Sequence, residues 1–183
     1  MKSKILLNVC CAPCALPLVE AYASKEEFFL YFFNPNIFPE EEYQKRLEEA
    51  KRVSKIYNLP LWEGNYEHQA WLDYLKKHLS QPLESYPENG SRCLICFQFR
   101  LEATFQAARE KEISQVATTL SLSRFKDVNF INRCGENLAK ELGLIYRTFE
   151  LDPWGAYRQG LELSKKHNIY RQKYCGCEFS MPV

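Results

Sequence analysis

Seven of the eight cysteines in this 183-residue chain fall into three tight groups. They are Cys10, Cys11 and Cys14 in "ILLNVCCAPCA", Cys93 and Cys96 in "RCLIC", and Cys175 and Cys177 in "YCGC". Thiolates are soft, anionic ligands, and each of these spacings suits chelation. Two thiols at i and i+3 on a first helical turn point to one side, and the helix N-terminus is expected to lower their pKa toward the thiolate that binds metal. In "YCGC" the Gly176 spacer lets the backbone bend, and residues two apart in an extended segment face the same way. A single CxxC says little, whereas three such groups point to a metal site. Cys134 is different: it lies three residues after Ile131 and four before Leu138 on an apolar stripe, so it reads as a small buried hydrophobe. His68, His78 and His167 lie outside the groups and receive no role.

A closed tetrathiolate zinc site uses four ligands and leaves the other clustered thiols idle. An iron–sulfur cluster with a second metal beside it would occupy six or seven of them, which favours iron, although ligand softness alone permits both metals.

Size does not account for the cysteines, because a chain of this length buries a core without disulfides. The formal net charge of +1 neither requires nor excludes a polyanionic partner. No apolar stretch is long enough to span a bilayer and no cleavage-site pattern follows the N-terminus, so a soluble, cytoplasmic protein with no membrane association is expected. In a reducing compartment, clustered cysteines are metal ligands or redox groups, and no disulfides are expected.

The thiols need a scaffold, and the chain alternates strand-like and helix-like segments, the pattern of a mainly parallel sheet flanked by helices. Residues 5–9 and 28–33 read as buried strands, 59–62, 115–119 and 144–151 as further strand candidates. Residues 40–58, a stretch around Trp71 to Leu79, 93–111 and 128–142 carry helical spacing, the last stopped by Gly143. The helix after the first strand is expected from about Ala15, with Pro17 in its first turn, leaving Cys10, Cys11 and Cys14 on the connecting turn. A single α/β domain over residues 1–183 fits. In such a sheet the carboxyl end of a strand is where ligands bind.

Taken in order, "CCAPC", "FFNPNIFPEEEYQKR", "SRCLICFQFRLEATFQAA", "TTLSLSRFKD" and "YRQKYCGCEFS" closely resemble the QueH-type epoxyqueuosine reductases, from about residue 5 to residue 180. The resemblance implies a sheet similar to the adenine-nucleotide hydrolase and PP-loop (HUP-like) fold, with a cysteine turn where relatives have a phosphate loop. It also implies removal of the epoxide oxygen of epoxyqueuosine at the tRNA wobble position. A 4Fe-4S cluster with an adjacent mononuclear iron would be held by Cys10, Cys11, Cys93, Cys96, Cys175 and Cys177. The position of Cys14 carries Asp in some members of the family, so here a thiolate takes the place of a carboxylate ligand. Asn8 stands where His is frequent, and "LDPWGAYRQG" departs from a more lysine-rich segment.

Reducing an epoxide to an alkene with loss of water takes two electrons and two protons. With no GxGxxG turn, electrons are expected from a carrier protein such as ferredoxin or flavodoxin. Glu42, Tyr43 and Asp127 are candidate proton donors. Asn34, Asn36, Arg92, Arg100, Lys126 and Arg171 are candidate substrate contacts, with Arg124 and Lys173 in the same basic set, positioned to neutralise anticodon-loop phosphates while an aromatic stacks on an extruded base. Two rivals remain: a zinc-stabilised tRNA-binding module without redox chemistry, and a PP-loop-like nucleotide-dependent tRNA-modifying enzyme. "CCAPC" has no glycine to admit phosphate, which disfavours the second.

Overall fold

The first apolar run forms strand β1 (Lys4–Asn8), and the second forms β2 (Glu27–Phe32), paired parallel with Leu6 opposite Phe29. This is a computed structural model, and it describes residues 2–181. Strands β3 (Leu61–Glu63), β4 (Gln115–Thr118) and β5 (Ile145–Tyr146) complete a five-stranded sheet in the order β3-β2-β1-β4-β5, with every pairing parallel.

Parallel neighbours require crossover connections, and six α-helices accompany the strands among the described residues. They are α1 (Ala12–Tyr22), α2 (Glu40–Tyr57), α3 (His68–His78), α4 (Ser91–Glu110), α5 (Val128–Leu142) and α6 (Pro153–Lys166). The pleat of β1 divides the core. Ile5 and Leu7 join residues of α1, α2 and α6 on one face, and Leu6 joins Phe105, Ala108 and Ala139 of α4 and α5 on the other. Because both faces are covered, β1 is a continuous apolar run, as buried parallel strands are. No helix among the described residues is long and apolar enough to cross a membrane.

Several boundaries differ from the sequence expectation. Helix α1 starts at Ala12, so Cys11 is its N-cap, Cys14 sits in its first turn, and Pro17 lies inside the helix. Pro17 has no N–H to offer the carbonyl of Pro13 four residues back. That carbonyl faces α6, where a Cβ on Gly160 would come within 2.6 Å of its oxygen. The two helices touch this closely because residue 160 has no side chain. Strand β5 holds two residues rather than 144–151: the Arg147 N–H makes a last bond to the Val116 carbonyl, and beyond it Phe149 packs against Tyr22 and Phe28. Helix α6 was not among the expected elements, although Asp152 accepting from the Gly155 N–H and Pro153 in the first turn form a regular N-terminus.

Strand order reverses between β1 and β4, which opens a crevice at their carboxyl ends. Cys10 and Cys11 leave β1 there, and Thr118 and Thr119 leave β4 beside them.

Candidate metal centre

The sulfurs of Cys10, Cys11 and Cys14 all lie within 4.8 Å of one another, with Cys10–Cys11 at 3.8 Å and Cys11–Cys14 at 2.9 Å. These separations exceed a disulfide bond of roughly 2.05 Å, and all eight cysteines are free. Thr119 fixes the group from the neighbouring strand: its hydroxyl accepts from the Cys10 N–H at 3.0 Å and lies 3.2 Å from the Asn8 carbonyl and 3.3 Å from the Cys10 sulfur. Thr118 donates to the Asn8 side chain at 2.9 Å. The "TTLSLS" segment therefore positions the first cysteine group.

Charge is shared unequally among the three sulfurs. Hydrogen bonding from Cys11 and Cys14 holds the Cys10 thiol well below its ordinary range against the pull of burial, helped by the positive charges of Lys126 and Arg100. Its partners move the other way: the bond to Cys10 pushes Cys11 up to about 12 and raises Cys14. One thiolate with two thiols leaning on it suits a cation, which would replace the two protons and satisfy all three sulfurs. This donor set can hold a metal ion.

Cys93 and Cys96 occupy the first two turns of α4, and Cys96 and Cys177 pack with Trp71, Leu75 and Leu83. The expectation that the helix start would lower these thiols is overturned, since burial raises Cys93 and pushes Cys96 up to about 12 and Cys177 to about 11. Burial outweighs the few tenths to one kcal/mol that a helix terminus typically offers. Gly176 adopts a φ of 147°, where side chains are disfavoured, so this bend rather than extended alternation sets Cys175 and Cys177. Cys175 lines the cavity while Cys177 faces the apolar cluster.

The last cysteine group is tied to the fold by Arg46 and His68, neither of which is marked for that task by spacing or motif. Buried Arg46 of α2 donates to the carbonyls of Cys175 at 2.8 Å and Tyr174 at 3.2 Å. His68 bridges the Pro35 carbonyl at 2.7 Å and Glu178 at 3.2 Å. A Glu42–Arg46 pair four apart looks like an ordinary helix-surface pair, so the sequence held no signal for it beyond the motif itself.

A cavity of about 440 Å³ joins the groups, lined by Cys10, Cys11, Cys14, Cys93 and Cys175. Of the substrate candidates, Asn34, Asn36, Arg100, Lys126 and Arg171 line it too. Asn34 is oriented by donating to the Val9 carbonyl and accepting from Arg100. Burial works against the charge of Lys126, but the facing sulfurs of Cys175, Cys10, Cys14 and Cys11 raise its pKa on balance. Arg92 lies elsewhere: it is buried, donates to the carbonyls of Leu83 and Tyr86, and stacks 4.5 Å from the Phe179 ring centre. It secures the loop before α4 rather than facing the cavity. The three proton-donor candidates are also engaged outside the cavity wall. Glu42 accepts from Arg46 and Tyr170, Tyr43 donates to the Gly64 carbonyl, and Asp127 caps α5 through the Phe130 N–H. Cys134 is half-buried among Phe130, Leu138 and neighbouring apolar residues.

A U34-tRNA thiolase from Methanococcus maripaludis, solved with its [4Fe-4S] cluster, has the same fold, with a TM-score of 0.58 and 16% identity. The match covers 99% of this chain, which spans 62% of the thiolase chain. Two curated epoxyqueuosine reductases named QueH are nearer in sequence. That of Histophilus somni is 38% identical over 98% of this chain and 72% of its own length, and that of Thermotoga maritima 36% identical over 97% and 90%. A family model for epoxyqueuosine reductase QueH matches residues 5–182. A chain with these cysteine groups at the switch point of this sheet, matched along nearly its whole length, belongs to the QueH family of epoxyqueuosine reductases.

Proposed function

We propose that this chain, as a single α/β domain in the cytoplasm, reduces epoxyqueuosine to queuosine within tRNA, using a 4Fe-4S cluster and a neighbouring mononuclear iron. The observation that carries the reading is the convergence of all three cysteine groups on one cavity wall and its apolar backing. Cys93, Cys96, Cys175 and Cys177 offer four thiolates, the number a cubane cluster takes. Cys10, Cys11 and Cys14 form a separate three-sulfur set suited to a single iron. When bound, these groups supply one-electron transfers and a Lewis-acidic position.

The chain's own residues do the rest. Lys126 keeps a positive charge against the sulfurs and stabilises their anionic form. Asn34, held by Arg100 and the Val9 carbonyl, and Asn36 beside it present amide groups to the substrate's polar edge. Exposed Arg171 at the cavity offers charge to an RNA phosphate. An electron carrier such as ferredoxin or flavodoxin supplies two electrons per turnover.

The test is anaerobic preparation followed by iron, zinc and sulfide analysis and nucleoside mass spectrometry of treated tRNA. Iron in excess of sulfide together with conversion of epoxyqueuosine to queuosine is expected. Stoichiometric zinc without sulfide or conversion would support the binding-module alternative instead.

A further inference from the structure

Arg124 stands at the centre of three aromatic rings, its guanidinium carbon 4.1 Å from the ring centre of Phe125, 4.2 Å from that of Trp154 and 4.4 Å from that of Tyr157. The rings come from two separate segments, the loop after β4 and the first turns of α6. They are exposed: Phe125 by 58%, Trp154 by 55% and Tyr157 by 36%. Single exposed aromatics need no explanation, but three around one cation form a patch with a shared chemistry.

The position of the patch is informative. Arg124, Phe125 and Tyr157 line the same cavity as Cys10, Cys14 and Lys126, so the aromatic surface continues the cavity wall outward to solvent. Among the described residues Arg124 has no carboxylate partner, and its Nε has no hydrogen-bond partner. A delocalised planar cation flanked by flat π faces is the surface on which unpaired nucleobases stack, tolerant of which base arrives. Lys126, Arg171 and Lys173 line the same cavity, as the phosphates of an RNA strand require, and the three rings add stacking area that charge pairing alone does not use.

We propose that Arg124, Phe125, Trp154 and Tyr157 form a stacking platform for an unpaired base of the substrate RNA that neighbours the modified nucleotide. This rests on the reading that the cavity accepts an RNA-borne nucleoside. The platform holds the flanking base outside while the reacting one enters between Asn34, Lys126 and the cysteine groups. It separates affinity for the RNA strand from the chemistry at the sulfurs.

The test uses anaerobic holoenzyme and fluorescence anisotropy with a labelled anticodon stem–loop, alongside conversion of intact tRNA. Trp154→Ala and Phe125→Ala should keep their iron and each lose RNA affinity by about 5- to 160-fold, the range that removing one base–aromatic stack produces. Trp154→Phe should stay within about threefold of wild type, since a planar ring remains. Ile56→Ala, an exposed apolar change on α2, should leave affinity unchanged. An abasic site beside the wobble position should weaken wild type but not weaken Trp154→Ala further. Equal loss for both proteins, or unchanged RNA binding in Trp154→Ala, overturns the platform. Unchanged RNA binding with slower electron delivery from reduced flavodoxin would assign the patch to the carrier and likewise overturn it. Wild-type holoenzyme that fails to convert tRNA would sink the functional reading separately, whatever the binding results.

Discussion

The guanidinium of Arg46 donates to the carbonyl of Cys175 across 129 residues of chain, at 2.8 Å. The same group forms a buried ion pair with Glu42 at 2.7 Å, and Tyr170 donates to the other Glu42 oxygen at 2.9 Å. One arginine thus joins α2 to the backbone that leads into the last cysteine group. Arg46→Ala would strand the Glu42 carboxylate and free the Tyr174–Cys175 backbone. A stability loss of about 3–5 kcal/mol is expected, with reduced iron retention. Arg46→Lys keeps the charge but not the fork, so it should fall in between. Anaerobic urea unfolding and iron counts measure both effects, and full iron retention in Arg46→Ala would refute the anchoring role.

Thr119 makes the corresponding link for the first group. Thr119→Val keeps the shape but removes the acceptor of the Cys10 N–H, leaving a part-buried donor unpaired at a cost of about 1 kcal/mol. Thr119→Ser should retain the bond and most of the stability. If Val and Ser behave alike in thermal unfolding, the hydroxyl is not what holds Cys10.

Cys14 can be tested by exchange of ligand type. Cys14→Asp restores an anionic donor near Cys10 and Cys11, whereas Cys14→Ala leaves that set one ligand short. Both should keep cluster absorbance, and only Asp should convert epoxyqueuosine measurably by nucleoside mass spectrometry. Cys134→Ser, in the apolar cluster, should keep iron and activity with at most a packing loss. Loss of cluster absorbance in Cys14→Ala would instead make Cys14 a cluster ligand.

Metal-free protein should weaken in alkali. Burial pushes Cys96 up to about 12 and Cys134 to about 11 from the ordinary 9.0, so the unfolded chain releases these protons first. Stability from keeping them neutral is complete below pH 9 and is lost as pH rises through 11 to 12. Metal-loaded protein should lack the part that comes from its ligand thiols, Cys96, Cys11 and Cys177 among them, because a ligated thiolate carries no proton. Denaturant midpoints between pH 8 and 12 for both forms and for Cys134→Ser separate these contributions; a Cys134→Ser profile identical to wild type would remove Cys134 from the account.

The sequence was most legible where burial is two-sided or a cap is explicit. Ile5–Leu7 of β1 and Phe28–Phe32 of β2 are continuous apolar runs, and α5 ends at Gly143, whose φ of 68° suits the residue. Gly155 and Gly160 interrupt the apolar spacing of α6 and hide the helix in the sequence, and the reason for Gly160 is a carbonyl on another helix. Apolar Phe149 makes the strand at β5 look longer than it is, yet the ring packs against Tyr22 and Phe28 rather than within the sheet. The cysteines were readable from spacing, since ligands announce themselves by residue type. Arg46 and Thr119 were not, because their meaning depends on contacts 129 and 109 residues away. Arg92 misled for the complementary reason: its charge suggested an anion, and the fold turned it onto carbonyl groups.

The distribution of the cysteine groups along the chain also sets a timetable for the ribosome. Cys10 is made early and Cys177 late, and at typical elongation rates roughly 10–30 s separate them. During that interval the nascent chain carries the first thiols with neither their neighbours nor the Arg46 anchor point at Cys175 in place. On the proposed allocation the three-sulfur set is complete early, whereas the four-thiolate set closes only when Cys177 has been made and docked, so a cluster would be loaded after translation.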